Sequence, residues 1–269
     1  STVINKIYGR ILKAGQKGTW PTYVHHELLP RLYGFELMMA PYTIAHLKLS
    51  MALKETGFKY FNETRAGKAR LGIYLTNSLE DISQQPELLA FDFAASIAEE
   101  AKEASKIKND RPIMVVVGNP PYSISSSNKG EWILNLIKDY KKGLDERNIQ
   151  PLSDDYIKFI RFAEHFIEKN GSGIVAMITN NSFLDGIIHR QMRKHLLETF
   201  DDIYIVNLSS RNKLNDQNVF DIKQGVSINI FVKNNENQEN SLGNIYYDEI
   251  VAKREEKLGL LNRDEVKYK

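Results

Sequence analysis

The amino-acid sequence predicts an α/β protein built on a mostly parallel β-sheet with helices on both faces. Short apolar segments alternate with longer stretches of helical periodicity through most of the 269 residues, an order that is typical of parallel sheets. The run Ile113–Val117 is entirely apolar and is expected to be a strand buried on both faces. The last two strands, between residues 203 and 232, have no helix between them, which predicts an antiparallel strand at one edge.

Each element follows from a local pattern. Thr2–Lys13 carries apolar residues at helical spacing. Tyr33–Met38 is interpreted as a strand that contains an acidic residue near its end, followed by a helix with Pro41 in its first turn and Gly57 at its end. The remaining expected elements are strand Leu71–Leu75, helix 86–108, strand Ile113–Val117, helix 131–142, helix Ser153–Lys169, strand Ile174–Thr179, helix 187–199, strand Ile203–Leu208 and strand Gly225–Val232.

Composition excludes several kinds of site. The chain has 36 Lys and Arg against 34 Asp and Glu, a net charge of +2, so charge alone neither requires nor excludes a nucleic-acid partner. It has no cysteine, which excludes disulfides and thiolate metal sites. The six histidines show no close-spaced ligand pattern, so no metal is expected. No apolar run approaches the ~20 residues that span a bilayer. We therefore expect a cytoplasmic protein without a membrane partner.

The tetrapeptide Asn119-Pro120-Pro121-Tyr122 is the strongest functional signal. It follows the most hydrophobic strand of the chain, and ligands of open α/β sheets bind beyond the carboxyl ends of the strands. The two prolines fix the backbone, restrict Asn119 to an extended conformation and remove two N–H donors. The turn thus presents an amide oxygen, carbonyl acceptors and an aromatic ring in one rigid unit.

This combination suits the exocyclic amine of a nucleobase. Such an amine is a poor nucleophile because its lone pair is delocalised into the ring. If its two hydrogens bond to the side-chain oxygen of Asn119 and the carbonyl of Pro120, the nitrogen becomes pyramidal and its lone pair points at a methyl donor. Tyr122 would stack on the base, which must leave the duplex to reach the site. A rigid turn that merely caps a strand is the alternative.

With these residues, the chain over residues 2–232 resembles the amino-methyltransferase part of DNA N6-adenine methyltransferases of restriction–modification systems. The resemblance implies a Rossmann-like, S-adenosylmethionine-dependent methyltransferase sheet and adenine N6 methylation without a metal. It identifies Asn119, Pro120, Pro121 and Tyr122 as the catalytic motif, with Asn119 also near the cofactor. Val219-Phe220 resembles the motif whose aromatic residue contacts the flipped base, which would make Phe220 the second wall of the base pocket.

The cofactor residues come from the same resemblance. Tyr33-Gly34-Phe35-Glu36-Leu37 is similar to the motif whose acidic residue binds the cofactor ribose, here Glu36, and Leu37 would lie against the cofactor adenine. Thr76-Asn77-Ser78-Leu79 is similar to the next motif, where the family usually has an aspartate. Asn77 replaces that aspartate only in part, because its oxygen accepts a hydrogen bond but carries no charge, and Asp81 is an alternative.

One family motif is absent. No Asp-Pro-x-x-Gly-x-Gly loop precedes residue 34, so we expect the first strand of the sheet to be missing and cofactor binding by this chain alone to be weak. We expect a methyltransferase domain over residues 1–243, truncated at its N-terminus, and a tail over 244–269 that leads towards a missing module. The expected partners are DNA and fused or associated target-recognition and restriction modules.

Two other functions remain open. A methyltransferase of protein glutamine side chains uses the same tetrapeptide, because an amide nitrogen poses the same chemical problem. A non-catalytic methyltransferase-like scaffold that binds DNA would explain the absent glycine loop. An oxidoreductase of the Rossmann type is disfavoured because no Gly-x-Gly-x-x-Gly follows a strand. Lys129, Arg190, Arg193 and Arg211 are candidate phosphate contacts, with solvated surface charge as their alternative.

Overall fold

The computed structural model describes residues 1–59, 70–80, 92–122, 126–209, 216–234 and 241–262. Two compact units make up the chain. The N-terminal unit contains Ser1–Ser78 and Ile82–Asp110, and the C-terminal unit contains Leu79–Asp81 and Arg111–Lys269. None of the helices in the described ranges is both long and apolar enough to cross a lipid bilayer.

The N-terminal unit is a two-stranded parallel sheet with helices. Its core surrounds Trp20, whose indole N–H donates to the Thr56 hydroxyl at 2.8 Å. Gly72 begins the second strand, and a Cβ there would lie 2.6 Å from the Leu32 carbonyl oxygen, so only glycine lets the two segments approach. The elements are α1 (Thr2–Lys13), α2 (Trp20–Tyr23), β1 (Tyr33–Glu36), α3 (Met39–Glu55), β2 (Gly72–Leu75) and α4 (Asp92–Asp110).

The C-terminal unit carries a five-stranded sheet in the order β3-β4-β6-β5-β7. Helix α6 packs on this sheet with an almost continuous buried face, and it ends at Gly171, whose φ of 80° favours glycine. The elements are β3 (Val115–Gly118), α5 (Glu131–Lys141), α6 (Asp155–Asn170), β4 (Gly173–Asn180), α7 (Arg190–Thr199), β5 (Asp202–Asn207), β6 (Val226–Lys233), β7 (Asn244–Glu249) and α8 (Arg254–Leu261).

The expected fold class is confirmed, with one correction to the sheet. Four of its five strands run in the same direction, because β3 pairs in parallel with β4 and β5 with β7, while β6 is antiparallel to both β4 and β5. The antiparallel strand therefore lies inside the sheet and not at its edge. The reason is that β6 inserts between β4 and β5, and β7 covers the other side of β5.

A second correction concerns the strand before the Asn-Pro-Pro-Tyr turn. Val115 and Val117 are 58% and 70% exposed, although the apolar run predicted burial on both faces. Among the described residues β3 pairs only with β4. One of its faces is also uncovered there, since Ile174, the partner of Val115 on β4, is 39% exposed as well.

Several element boundaries differ from the sequence prediction. β1 ends at Glu36, and α3 begins at Met39, two residues before Pro41. The first residues of the predicted helix 86–108 lie outside the described ranges, and α4 is seen from Asp92. Part of the expected C-terminal tail belongs to the C-terminal unit, because β7 pairs with β5 along its whole length.

Candidate active site

Asn119 directly follows β3, at the carboxyl end of the strand. The last paired residue of β3, Gly118, lies opposite Met177 of β4. The Asn119 side chain is exposed, whereas Pro120 is buried and anchors the turn. The hydroxyl of Tyr122 lies 2.8 Å from Oδ1 of Asn119 and 3.3 Å from the carbonyl oxygen of Ile178 on β4. The tetrapeptide thus closes on itself and is attached to the neighbouring strand.

The Tyr122 hydroxyl acts as a hydrogen-bond donor in this arrangement. Burial raises its pKa to about 12, so the phenol stays protonated at neutral pH. An amide oxygen has two lone pairs. Oδ1 of Asn119 therefore accepts from Tyr122 and keeps a second acceptor position, while the exposed side chain leaves that position open to a substrate amine.

Phe220 lies on the same hydrophobic cluster as Tyr122. Both rings pack against the buried side chains of Val206, Leu208 and Val226 at the ends of β5 and β6. The two aromatic residues expected to contact the base, which are nearly a hundred positions apart in the sequence, are thus attached to one apolar patch of the C-terminal unit.

A network of hydrogen bonds shapes the turn that carries Phe220. The side-chain oxygen of Asn218 accepts the backbone N–H of Phe220 at 3.2 Å. Its amide nitrogen donates to the carbonyls of Ile222 and Gln224 at 2.9 and 2.7 Å. One asparagine therefore holds both ends of a turn that lies just before β6. Sequence reasoning missed Asn218 because these contacts depend on the shape of the turn.

The segment after the tetrapeptide is clamped by the start of α6. Oδ1 of Asp155 accepts from the Ser126 hydroxyl at 2.6 Å and the Asn128 amide at 2.8 Å. The ammonium of Lys158, which is 1% exposed, donates to the Ser126 hydroxyl at 2.5 Å and to the carbonyl of Asn128. Burial lowers the pKa of Lys158, and Asp155 acts in the opposite direction. These two residues lie in the stretch Asp154–Phe159, whose sequence indicated a helix but not a clamp.

Glu36 is the last residue of β1, and Asn77 follows the adjacent strand β2 of the N-terminal unit. β1 and β2 are parallel, with Glu36 opposite Leu75, so both residues lie at the carboxyl edge of the sheet. Oε1 of Glu36 accepts the backbone N–H of Met38 at 3.0 Å, which orients its carboxylate. The ammonium of Lys108 donates to the Asn77 carbonyl at 2.9 Å.

Leu37 is 64% exposed beside Glu36. Asp81, the alternative to Asn77, lies outside the described residues. Of the expected cofactor residues, Glu36, Leu37 and Asn77 lie in the N-terminal unit and Asn119 lies in the C-terminal unit. The C-terminal unit also holds Tyr122 and Phe220.

Two of the candidate phosphate contacts have other partners. Arg190 forms an ion pair with Glu146. Arg193 donates to the carbonyls of Phe183 and Gly186, both at 2.8 Å, so its guanidinium fixes the segment before α7. Both are better explained as structural contacts, because Nη1 of each guanidinium already binds groups of the protein. Lys129 is exposed, and Arg211 lies outside the described residues.

A charged cluster on the helices of the C-terminal unit has acidic and imidazole ligand atoms close together. Glu164, Glu168 and His195 could share an ion by distance. However, the guanidinium of Arg161 lies 3.4 Å from Glu164 and 2.8 Å from Glu168, and Nδ1 of His195 lies 3.0 Å from Glu164. Burial lowers the pKa of His195, but the hydrogen bond to the Glu164 carboxylate and the negative charges of Glu164 and Glu168 together raise it above the ordinary value. This cluster is an internal ion-pair network that joins α6 to α7.

Fold and motif together define a methylase-type α/β domain. The family model described as Eco57I restriction-modification methylase matches residues 31–214, which is more than half of the chain. The chain belongs to this family. No curated protein sequence gives a significant match.

Solved structures of two protein–DNA complexes share the fold. The ATP-dependent Type ISP restriction-modification enzyme LlaBIII bound to DNA is 27% identical with a TM-score of 0.75, over 95% of this chain and 17% of that one. A DrdV–DNA complex is 26% identical with a TM-score of 0.73, over 94% of this chain and 25% of that one.

The Type ISP enzyme LlaGI, solved as a nuclease-deletion mutant with a DNA substrate mimic, has a TM-score of 0.77 at 22% identity, over 99% of this chain and 22% of that one. This last match shows the fold alone. The chain spans no more than a quarter of the length of any of these three enzymes.

Proposed function

We propose that this chain transfers a methyl group from S-adenosylmethionine to the exocyclic N6 amine of a flipped-out adenine in DNA, as part of a restriction–modification system. The observation that carries the proposal is the Asn119–Tyr122 turn at the end of β3, with an oriented and exposed amide oxygen. Membership of a restriction-modification methylase family supports DNA as the substrate rather than a protein side chain.

The chemistry rests on acceptors that activate the amine. Oδ1 of Asn119 and the carbonyl of Pro120 would accept the two amine hydrogens, which localises the nitrogen lone pair for attack. Tyr122 keeps the Asn119 amide in place through its 2.8 Å hydrogen bond. Pro120 and Pro121 hold the backbone without presenting an N–H that would repel the amine.

Two aromatic rings provide the walls of the base pocket. A base leaves the duplex at a cost of a few kcal/mol in lost stacking and pairing. Stacking on aromatic side chains recovers roughly 1–3 kcal/mol per base. Tyr122 and Phe220 share the apolar patch of Val206, Leu208 and Val226, which supports their assignment to the same pocket.

Glu36, Leu37 and Asn77 fit the nucleoside part of S-adenosylmethionine. A carboxylate already oriented by one backbone N–H has further lone pairs for the ribose hydroxyls. The exposed side chain of Leu37 suits the face of an adenine ring. The bound cofactor would supply the electrophilic methyl group.

DNA is the proposed partner. LlaBIII and DrdV were solved with DNA, and LlaGI with a DNA substrate mimic. Each is several times longer than this chain, which supports target-recognition and restriction modules that are fused to it or associated with it. We place the activity in the cytoplasm.

DNA modification in a host without its own adenine methylation tests this function. We expect expression of the natural full-length protein to produce N6-methyladenine at one defined sequence motif, detected by single-molecule sequencing. The Asn119→Ala variant should abolish that mark at equal protein level. Methylated cytosine in place of adenine would overturn the base assignment, and unmodified DNA from a folded, cofactor-binding protein would overturn the whole proposal.

A further inference from the structure

Lys257 of α8 is completely buried and forms an ion pair inside the C-terminal unit. Its ammonium lies 2.5 Å from Oδ1 of Asp216, and both side chains are 0% exposed. The same ammonium donates to the carbonyls of Leu208 at 2.6 Å and Gln217 at 2.7 Å. All three of its N–H groups therefore have acceptors.

The pair connects two distant segments of backbone. Asp216 also accepts the backbone N–H of Ala252 at 3.1 Å, and the N–H of Gln217 donates to the Ala252 carbonyl at 3.1 Å. Leu208 is part of the patch beneath Tyr122 and Phe220. The pair thus joins the end of β5, the segment before Phe220 and the residues that lead into α8.

Arg254 makes a second connection to the same turn. Its Nε donates to the carbonyl of Asn218 at 2.9 Å, and its guanidinium pairs with Asp221 at 2.6 Å. Asn218 in turn accepts the N–H of Phe220. A cleft of about 900 Å³ opens between this turn and the start of α8, and it is lined by Asn218, Phe220, Lys223 and Lys253.

We propose that Lys257 and Asp216 are positioning residues for residues 217–224, the turn that presents Phe220 to the flipped base. This inference rests on the proposed function. A buried ion pair is a weak source of stability, because desolvation of the two charges offsets their attraction. Here the two side chains make three hydrogen bonds to backbone groups, namely the carbonyls of Leu208 and Gln217 and the N–H of Ala252, and these connect α8 to the segment that leads into the Phe220 turn.

Hydrogen exchange tests the anchoring without DNA. In Lys257→Met we expect amides of 217–224 to exchange at least about tenfold faster, while amides of β6 in the adjacent sheet keep their protection. Lys194→Met is the matched control, since Lys194 is 64% exposed on α7 and pairs only with Glu198 among the described residues. A positioning role would be contradicted if amides throughout the sheet exchanged faster than in the wild type. It would also be contradicted if the amides of 217–224 exchanged at the wild-type rate.

A second variant covers the case in which Lys257→Met does not fold. In Asp216→Leu/Lys257→Met the pair is replaced by apolar groups of similar volume, a change that often leaves a fold intact. In this double variant we expect the amides of β6 to keep their wild-type protection and the amides of 217–224 to exchange faster than in the wild type. A turn that exchanges like the wild type in this double variant would overturn the proposal.

Methylation kinetics of the natural full-length protein on DNA with its own motif complete the test. The double variant should lower kcat at least about tenfold, because the base lacks its second wall, and leave the KM for S-adenosylmethionine unchanged. An unchanged kcat overturns the positioning role. A wild-type protein that does not methylate DNA contradicts the proposed function instead, and the exchange comparison then decides the anchoring alone.

Discussion

The hydroxyl of Tyr122 lies 2.8 Å from Oδ1 of Asn119, so the aromatic residue of the tetrapeptide also orients its amide. A residue expected to stack on the base therefore has a second task. The carbonyl of Ile178, at 3.3 Å from the same hydroxyl, keeps the tyrosine against β4. One hydroxyl group therefore holds both the aromatic ring and the amide oxygen of the tetrapeptide.

Removal of the Tyr122 hydroxyl distinguishes the orientation of the Asn119 amide from the predicted stacking of the ring on the base. Tyr122→Phe keeps the ring but leaves Asn119 without its donor. A neutral hydrogen bond contributes about 0.5–1.5 kcal/mol, so we expect kcat for DNA methylation to fall roughly three- to tenfold. Asn119→Ala should cost roughly a hundredfold or more, as loss of a direct acceptor does. Equal losses in the two variants would show that the hydroxyl has a role beyond orientation.

Asp154 predicts a specific dependence of stability on pH. Its side chain is 8% exposed, and Oδ1 has no hydrogen-bond partner among the described residues. Burial, with the adjacent Asp155, raises its pKa to about 6 from 3.8. The folded state therefore binds the proton of the Asp154 carboxyl more tightly than the unfolded state does. Protonated Asp154 stabilises the folded protein fully below pH 3.8, and this stabilisation is lost as the pH rises through 6.

At pH 8 the ionised Asp154 should therefore lower the free energy of unfolding. We expect Asp154→Asn to stabilise the protein by about 1–3 kcal/mol at pH 8, and by much less at pH 4, where the carboxyl is largely protonated. Urea denaturation at the two pH values measures the difference. Asp248→Asn, on the exposed strand β7, serves as control. A gain that is equal at both pH values would contradict the assignment to this proton.

The sequence contained the order of the elements and the position of the tetrapeptide, because both depend on local patterns. Apolar runs identified β3 and β4, and the helical period identified α6. The place of β6 inside the sheet could not be read in the same way, since it depends on pairing with two strands, β4 and β5, that precede it. The exposure of Val117 also depends on the neighbours of β3, which its own composition does not reveal.

The candidate site likewise contains residues that a local sequence pattern predicts and residues that only the tertiary structure brings together. Asn119 and Tyr122 are three positions apart, and the sequence between them indicated a rigid turn. Lys257 and Asp216 are far apart in the sequence, and no local pattern connects them. Their contact follows from the packing of α8 on the end of β5. Charged residues of this kind resemble ordinary surface residues until the structure shows them to be buried.

Lys158 should contribute to stability through the clamp on residues 126–128. Lys158→Met removes the ammonium that bonds Ser126 and Asn128, together with a positive charge that acts on Asp155. A hydrogen bond to a charged group contributes about 1.5–3 kcal/mol, so we expect the free energy of unfolding to fall by about 2–4 kcal/mol, while Asp155 keeps its own two hydrogen bonds.

Chemical denaturation of Lys158→Met measures this loss. Lys138→Met on α5 is the control, since its ammonium bonds an exposed Asn135 side chain, and we expect a change within about 0.5 kcal/mol. The clamp would be refuted if the two variants unfolded at the same urea concentration.

Glu36 provides the most direct test of the cofactor site. Its carboxylate is oriented by the N–H of Met38, and Glu36 ends β1 at the same edge of the sheet as Asn77. A hydrogen bond from a ribose hydroxyl to a charged acceptor contributes about 1.5–3 kcal/mol. In Glu36→Gln an NH2 group, which donates hydrogen bonds, replaces one of the two accepting carboxylate oxygens. We therefore expect the dissociation constant of S-adenosylhomocysteine to rise by roughly ten- to a hundredfold in calorimetry of the natural full-length protein.

Glu55→Gln, at the far end of α3, should bind like the wild type. A Glu36→Gln variant with unchanged affinity would remove the ribose role from this residue, and with it the reason to place the nucleoside of the cofactor beside Leu37.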